Sequence, residues 1–193
     1  MEEIILSNKY TIWKYRHDSI YSKNEFLKFV NINNNLSTHT NSNSVWVEIH
    51  SKCFTSINDK VKSLIEIISN KQFKNYAEHY WIYRQTKGFN MEWMHQHIFV
   101  HPQNRSNILT DYTFTYYIQT PTDIVENQGC IVFEDENKKK HTFLPTEGDI
   151  FLFPANLRHT AIPTPNSEVD RIVYAGSLCI DIENQANGTK NII

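Results

Sequence analysis

The chain has 193 residues, 40% hydrophobic and 13% aromatic, with a formal net charge of -2. That length fits a single domain with ample material for a core. The mean hydropathy of -0.51 is polar without being that of a disordered chain. The charge balance leaves no basic stripe of the kind that neutralises phosphates, so no nucleic-acid partner is expected.

No apolar run approaches the roughly 20 residues needed to span a bilayer, so no membrane partner is expected either. Cys53, Cys130 and Cys179 are far apart and odd in number, which argues against a disulfide framework. The opening "MEEIILSNKY" lacks the basic and apolar regions of a signal peptide. A reducing, cytoplasmic location is the expectation.

In chain order, "KYTIWKYRHD" (9–18) is β-branched and aromatic and reads as a strand. "SKNEFLKFV" (22–30) reads as a short helix, with Ser22 and Glu25 at capping-box spacing. The Asn-rich stretch 31–44 reads as a loop and "VWVEIH" (45–50) as a strand. The spacing of Ile57, Val61, Leu64, Ile65 and Ile68 predicts a helix over 57–70 that packs on a sheet.

From about residue 77 the texture changes to short strands and turns: "YWIYRQ", "WMHQHIFV", "YTFTYYIQT", "GCIVFED", "HTFLP", "IFLFP" and "RIVYAGSLCID". A polar loop from Pro102 to Asp111 interrupts them, and Lys138-Lys139-Lys140 reads as a solvated hairpin tip. Such spacing suggests a sandwich or jelly roll. The expected organisation is one domain over 1–193. Residues 1–76 form a helical and strand support, 77–182 a β core and 183–193 a tail.

Histidines crowd one stretch, "MEWMHQHIFVH" (91–101). On a strand, His95 and His97 share a face, because side chains alternate with period two, and two such imidazoles can grip one metal ion. His101 keeps that phase only if the strand runs past Pro102, which argues that it ends. A third ligand must come from a distance, and His159, just after the apolar strand "IFLFP", is the candidate. Arg171 opens the returning strand. If that strand pairs with the one bearing His159, its guanidinium enters the same cavity, where it needs an anion. His17, His39, His50, His79 and His141 have no neighbour at ligand spacing.

Residues 81–180 resemble the catalytic core of the 2-oxoglutarate- and iron(II)-dependent oxygenases, in particular a microbial and viral branch related to prolyl hydroxylases. The pieces that carry the resemblance are "YRQTKGFNMEWMHQH", "YTFTYYIQTP", "NQGCIVFED", "PTEGDIFLFPANLRHT" and "RIVYAGSL", in that order. The resemblance implies a mainly β (α+β) fold: a double-stranded β-helix, jelly-roll or cupin-like, with the N-terminal helices packed on its outside.

By the same resemblance His95 is the first iron ligand, His97 stands where Asp is usual, and His159 is the distal ligand. Arg171 anchors the distal carboxylate of 2-oxoglutarate. The implied cofactors are Fe(II), 2-oxoglutarate and O2. The implied reaction is hydroxylation of a peptidyl side chain or small metabolite, coupled to decarboxylation of 2-oxoglutarate to succinate. A homodimer is compatible with it.

Two departures from the family pattern matter. H-x-H replaces H-x-D, which removes the anionic ligand; Asp111 and His101 are alternative donors. Val173 replaces the serine two residues after the arginine, and Tyr83 and Tyr117 are the candidates to compensate. The alternatives to a 2-oxoglutarate oxygenase are a three-histidine, cupin-type dioxygenase that needs no keto acid and a non-catalytic jelly-roll binding protein.

Overall fold

The computed structural model describes residues 1–19, 21–32, 44–46, 52–70, 76–89, 93–100, 107–109 and 111–180. The N-terminal part contributes β1 (Glu2–Ile5), β2 (Thr11–Arg16), α1 (Lys23–Ile32), β3 (Ser44–Trp46) and α2 (Lys52–Ser69). The rest contributes β4 (Tyr76–Gln85), β5 (Ile98–Val100), β6 (Asn107–Leu109), β7 (Tyr112–Gln119) and β8 (Ile131–Glu134). It ends with β9 (Lys140–Phe143), β10 (Asp149–Pro154), β11 (Arg158–Ala161) and β12 (Arg171–Ile180).

Half of the expected capping box forms: the Glu25 carboxylate accepts from the Ser22 N–H at 2.7 Å, while the Ser22 hydroxyl donates to that carboxylate at 3.0 Å and Glu25 N–H donates to the Ser22 backbone O at 3.0 Å. Helix α2 starts five residues before the predicted position, at Lys52. Its buried stripe begins with Cys53 and Phe54 and continues through Ile57, Val61, Leu64 and Ile65, so the apolar face is longer than the aliphatic spacing alone suggested. Asn70, at φ 54°, takes the left-handed conformation that ends a helix.

Seven antiparallel strands form a large sheet in the order β1-β2-β10-β7-β12-β4-β3. A smaller sheet has the order β11-β8-β9, and β5 pairs with β6. The large sheet is apolar on both faces, and strand alternation divides its side chains cleanly. Phe114, Tyr116, Ile118, Ile172, Tyr174 and Leu178 join the core with Phe26, Phe54, Ile57 and Ile65 of the helices. Tyr117, Phe151, Phe153 and Val173 turn the other way and pack with Ile131 and Phe133 of the small sheet. The helices therefore cover the outside and the two sheets enclose the second core. This is the expected double-stranded β-helix.

Gly176 marks the closest approach on the helix side. A Cβ there would stand 2.5 Å from Tyr80 Cδ1 and 2.7 Å from Phe114 Cε1. No described helix is long and apolar enough to cross a membrane.

Candidate metal centre

His95 and His159 meet backbone to backbone. His95 N–H donates to His159 O at 2.9 Å and His159 N–H donates to His95 O at 2.8 Å, an isolated antiparallel bridge. The predicted strand over 93–99 is therefore shortened to this bridge and the later β5. The ladder stops because residues 155–157 turn between β10 and β11. His97 N–H donates to Ala155 O, at 2.9 Å, instead of continuing the pairing.

The three imidazoles nonetheless converge. Ring centroids are 4.4 Å apart for His95–His159, 5.1 Å for His97–His159 and 5.2 Å for His95–His97. One nitrogen from each lies within 4.8 Å of the others, close enough to hold one ion. Backbone carbonyls orient two of the rings. His159 Nδ1 lies 2.9 Å from Leu157 O and His95 Nδ1 lies 3.2 Å from Trp93 O. A carbonyl only accepts, so each Nδ1 carries the hydrogen and each Nε2 keeps its lone pair for a metal.

Burial holds the rings neutral, as metal ligation requires. It pushes His97 down to about 4, with the neighbouring His95 adding to the shift. It holds His159 well below the usual histidine range, reinforced by His95 and His97, and lowers His95 against the opposing Trp93 carbonyl.

Arg171 faces these histidines across a cavity of about 300 Å³. The pairing of its strand with that of His159, on which the shared cavity was made conditional, does not occur. β12 lies in the large sheet between β4 and β7, whereas β11 pairs with β8 in the small sheet. The two residues reach one cavity from opposite walls, because both strands turn alternate side chains into the space between the sheets.

Arg171 is fully buried, at 1% exposure. It donates to Gln85 Oε1 at 3.3 Å and to the Tyr117 hydroxyl at 3.4 Å, both long contacts, and its Nε has no partner. Gln85 in turn donates to the Tyr83 hydroxyl at 3.1 Å. Val173 is the cross-strand neighbour of both Tyr83 and Tyr117. The two phenols thus stand on either side of the position where the family pattern has serine. Burial raises both phenols above the usual tyrosine range. Arg171 opposes this in each case, and Gln85 opposes it more strongly at Tyr83.

Two contributors, Gln85 and Thr115, escaped the sequence reading. Gln85 is paired in register with Arg171. Thr115 lines the cavity with a buried Oγ1; it lies close enough to influence Tyr117 but makes no hydrogen bond of normal geometry. The signal for Thr115 was the alternation in "YTFTYYIQ", where Thr113, Thr115 and Tyr117 share one face.

The other predicted donors lie elsewhere. Asp111 is outside the histidine cluster, and its backbone ties β10 and β12 through Ala155 N–H and Leu178 O. His101, His39 and His50 lie outside the described residues, as do the loop segments 33–43 and 101–106. His141 pairs with Asp135 at 2.9 Å. His17, which has no neighbour at ligand spacing in the sequence, has a buried Nε2 without a hydrogen-bond partner.

The described lining contains no Asp or Glu. Asp149, whose charge reaches Tyr117, is held by Lys14 at 3.1 Å and Arg16 at 3.7 Å. Among the described residues, Arg171 thus carries a buried charge with no carboxylate against it, and Thr115 an unused hydroxyl. Both fit a bound carboxylate, since buried polar groups are rarely left unpaired.

No family model and no curated protein matches the sequence significantly. Solved structures match the fold. The viral collagen prolyl hydroxylase of Paramecium Bursaria Chlorella virus-1, in complex with 2OG, is 17% identical, with a TM-score of 0.58 over 86% of this chain and 95% of that one. A Pseudomonas putida prolyl-4-hydroxylase is 10% identical, with a TM-score of 0.60 over 89% and 93%. A 2OG-Fe(II) oxygenase family oxidoreductase from Burkholderia pseudomallei is 11% identical, with a TM-score of 0.58 over 87% and 85%. At these identities the likeness is one of fold: the chain has the double-stranded β-helix of the 2OG-Fe(II) oxygenases, prolyl hydroxylases among them.

Proposed function

We propose that this protein is a non-haem Fe(II) oxygenase that takes 2-oxoglutarate as co-substrate and hydroxylates a peptidyl side chain or small metabolite. The observation that carries the reading is Arg171, a buried cation without a described carboxylate partner, across one cavity from three convergent histidines. His95, His97 and His159 would hold the iron through neutral imidazole nitrogens, and such a facial set leaves positions for a chelating keto acid and for dioxygen. With both bound, iron and 2-oxoglutarate supply the oxidising chemistry, releasing succinate and carbon dioxide.

The chain's own residues position and enclose. The Leu157 and Trp93 carbonyls hold two imidazoles in the metal-binding tautomer. Arg171, with the Tyr117 hydroxyl beside it, would fix the distal carboxylate and so the pose of the keto acid. Trp81, with its ring centroid 5.0 Å from that of His97, and Trp93, 5.9 Å from that of His95, line the cavity beside the histidines and offer aromatic faces to a substrate, Trp93 from an exposed position.

A second reading is a three-histidine dioxygenase that uses no keto acid. The donor set favours it, because no carboxylate among the described residues joins the histidine cluster. Arg171 would then hold the substrate's own carboxylate. The test is succinate formation from 2-oxoglutarate by protein supplied with iron and ascorbate, with His159→Ala and Arg171→Ala as controls. Succinate that disappears in both variants supports the first reading. Iron binding with no 2-oxoglutarate turnover and no 2-oxoglutarate affinity selects the second.

A further inference from the structure

The charge carried by the assembled site restricts what else enters it. As metal ligands the three histidines are neutral, and among the described lining residues Arg171 is the one formal charge. A divalent ion and Arg171 together bring three positive charges into a cavity between two sheets. A keto-diacid removes two of them and one remains. Had an aspartate stood at position 97, the same assembly would be neutral. Excess charge in a partly desolvated space is costly until a counter-charge arrives.

Among the described residues the remaining wall holds no carboxylate to provide that counter-charge. Beside the histidines it presents Trp81 and Trp93, and further in Ile131, Val173 and Ala175. Asp149, the carboxylate whose charge is felt at Tyr117, is already neutralised by Lys14 and Arg16. Without a keto acid the imbalance is larger, so the excess positive charge is present under either reading of the reaction.

We propose that the primary substrate is an organic anion with an apolar or planar body, and that His97 is the residue that selects it. The indoles of Trp81 and Trp93 accept the body, while the uncompensated positive charge at the metal attracts the anionic group. This inference rests on the three-histidine metal centre of the proposed function.

The test uses Co(II) as a redox-inert probe of the site and a matched pair of small ligands, propionate and propionamide. Binding is followed by the Co(II) absorption spectrum and by titration calorimetry, at saturating 2-oxoglutarate. The intact protein is compared with His97→Asp, which restores the anionic ligand, and His97→Gln, which changes shape without adding charge. The expected result is at least a tenfold preference for propionate over propionamide in the intact protein and in His97→Gln. That preference should fall below about threefold in His97→Asp.

Equal binding of the two probes to the intact protein overturns the proposal. So does an undiminished preference in His97→Asp, or a preference lost equally in His97→Gln. Failure of the intact protein to bind Co(II) removes the metal centre itself, a different result from a bound metal that shows no charge preference.

Discussion

Replacing Arg171 by Met separates a binding role from a structural one. The side chain is 1% exposed, its two hydrogen bonds are long at 3.3 and 3.4 Å, and its Nε is unpartnered. A cation so poorly satisfied adds little to stability when no ligand is bound. Exchanging buried charges for an apolar side chain of similar volume is often neutral or stabilising, by about 1–4 kcal/mol. The melting temperature of ligand-free Arg171→Met should therefore hold or rise by a few degrees, at about 2–4 °C per kcal/mol for a chain of this size.

Binding should respond in the opposite direction. Truncating one partner of a buried, hydrogen-bonded charge pair costs about 2–5 kcal/mol, which weakens 2-oxoglutarate by roughly 30-fold to several thousand-fold. Calorimetric titration of metal-loaded protein, with a thermal melt of the same sample without ligand, reads both quantities. A variant that melts several degrees lower yet binds 2-oxoglutarate unchanged would show that Arg171 supports the fold and not the ligand, and would refute the reasoning.

Three further outcomes are expected. His159→Ala should weaken metal binding by more than the ~10–100-fold typical of losing an outer hydrogen-bond partner, read by metal analysis after dialysis; full retention would remove His159 from the centre. Because burial holds His97 down to about 4 in the fold, the unfolded chain takes up its proton first as pH falls below about 6.5. The metal-free protein should thus keep this contribution above pH ~6.5 and lose ~3 kcal/mol of it by pH ~4, seen as a falling melting temperature that His97→Gln does not share to the same extent. Gly176→Ala forces a Cβ to within 2.5 Å of Tyr80 and should cost about 1–3 kcal/mol; an unchanged melt would contradict the packing described.

Much of this arrangement was legible before the structure. The segments of β7 and β12 were recognised as strands from their β-branched and aromatic residues, and the capping pair Ser22–Glu25 marked the start of α1. His95 and His97 were found because two ligands on one face need only the i, i+2 spacing. His159 was found because the apolar strand before it points to the interior.

What sequence could not convey was pairing between distant segments. Nothing in "RIVYAGSL" says that β12 sits between β4 and β7 rather than beside β11. Nor does "EWMHQH" reveal that its pairing ends at the turn 155–157 and leaves one bridge at His95. Gln85 matters only through its neighbour across the sheet, Arg171, on which local spacing is silent; Thr115 shares a face with Tyr117 on β7, but its alternation does not say that the face looks into the cavity.

The most direct test of the central claim is a crystal structure of protein loaded anaerobically with Fe(II) and 2-oxoglutarate. The account predicts one ion at about 2 Å from a nitrogen of each of His95, His97 and His159. It also predicts the distal carboxylate on the Arg171 guanidinium. An ion held by other residues, or 2-oxoglutarate bound away from Arg171, would contradict it.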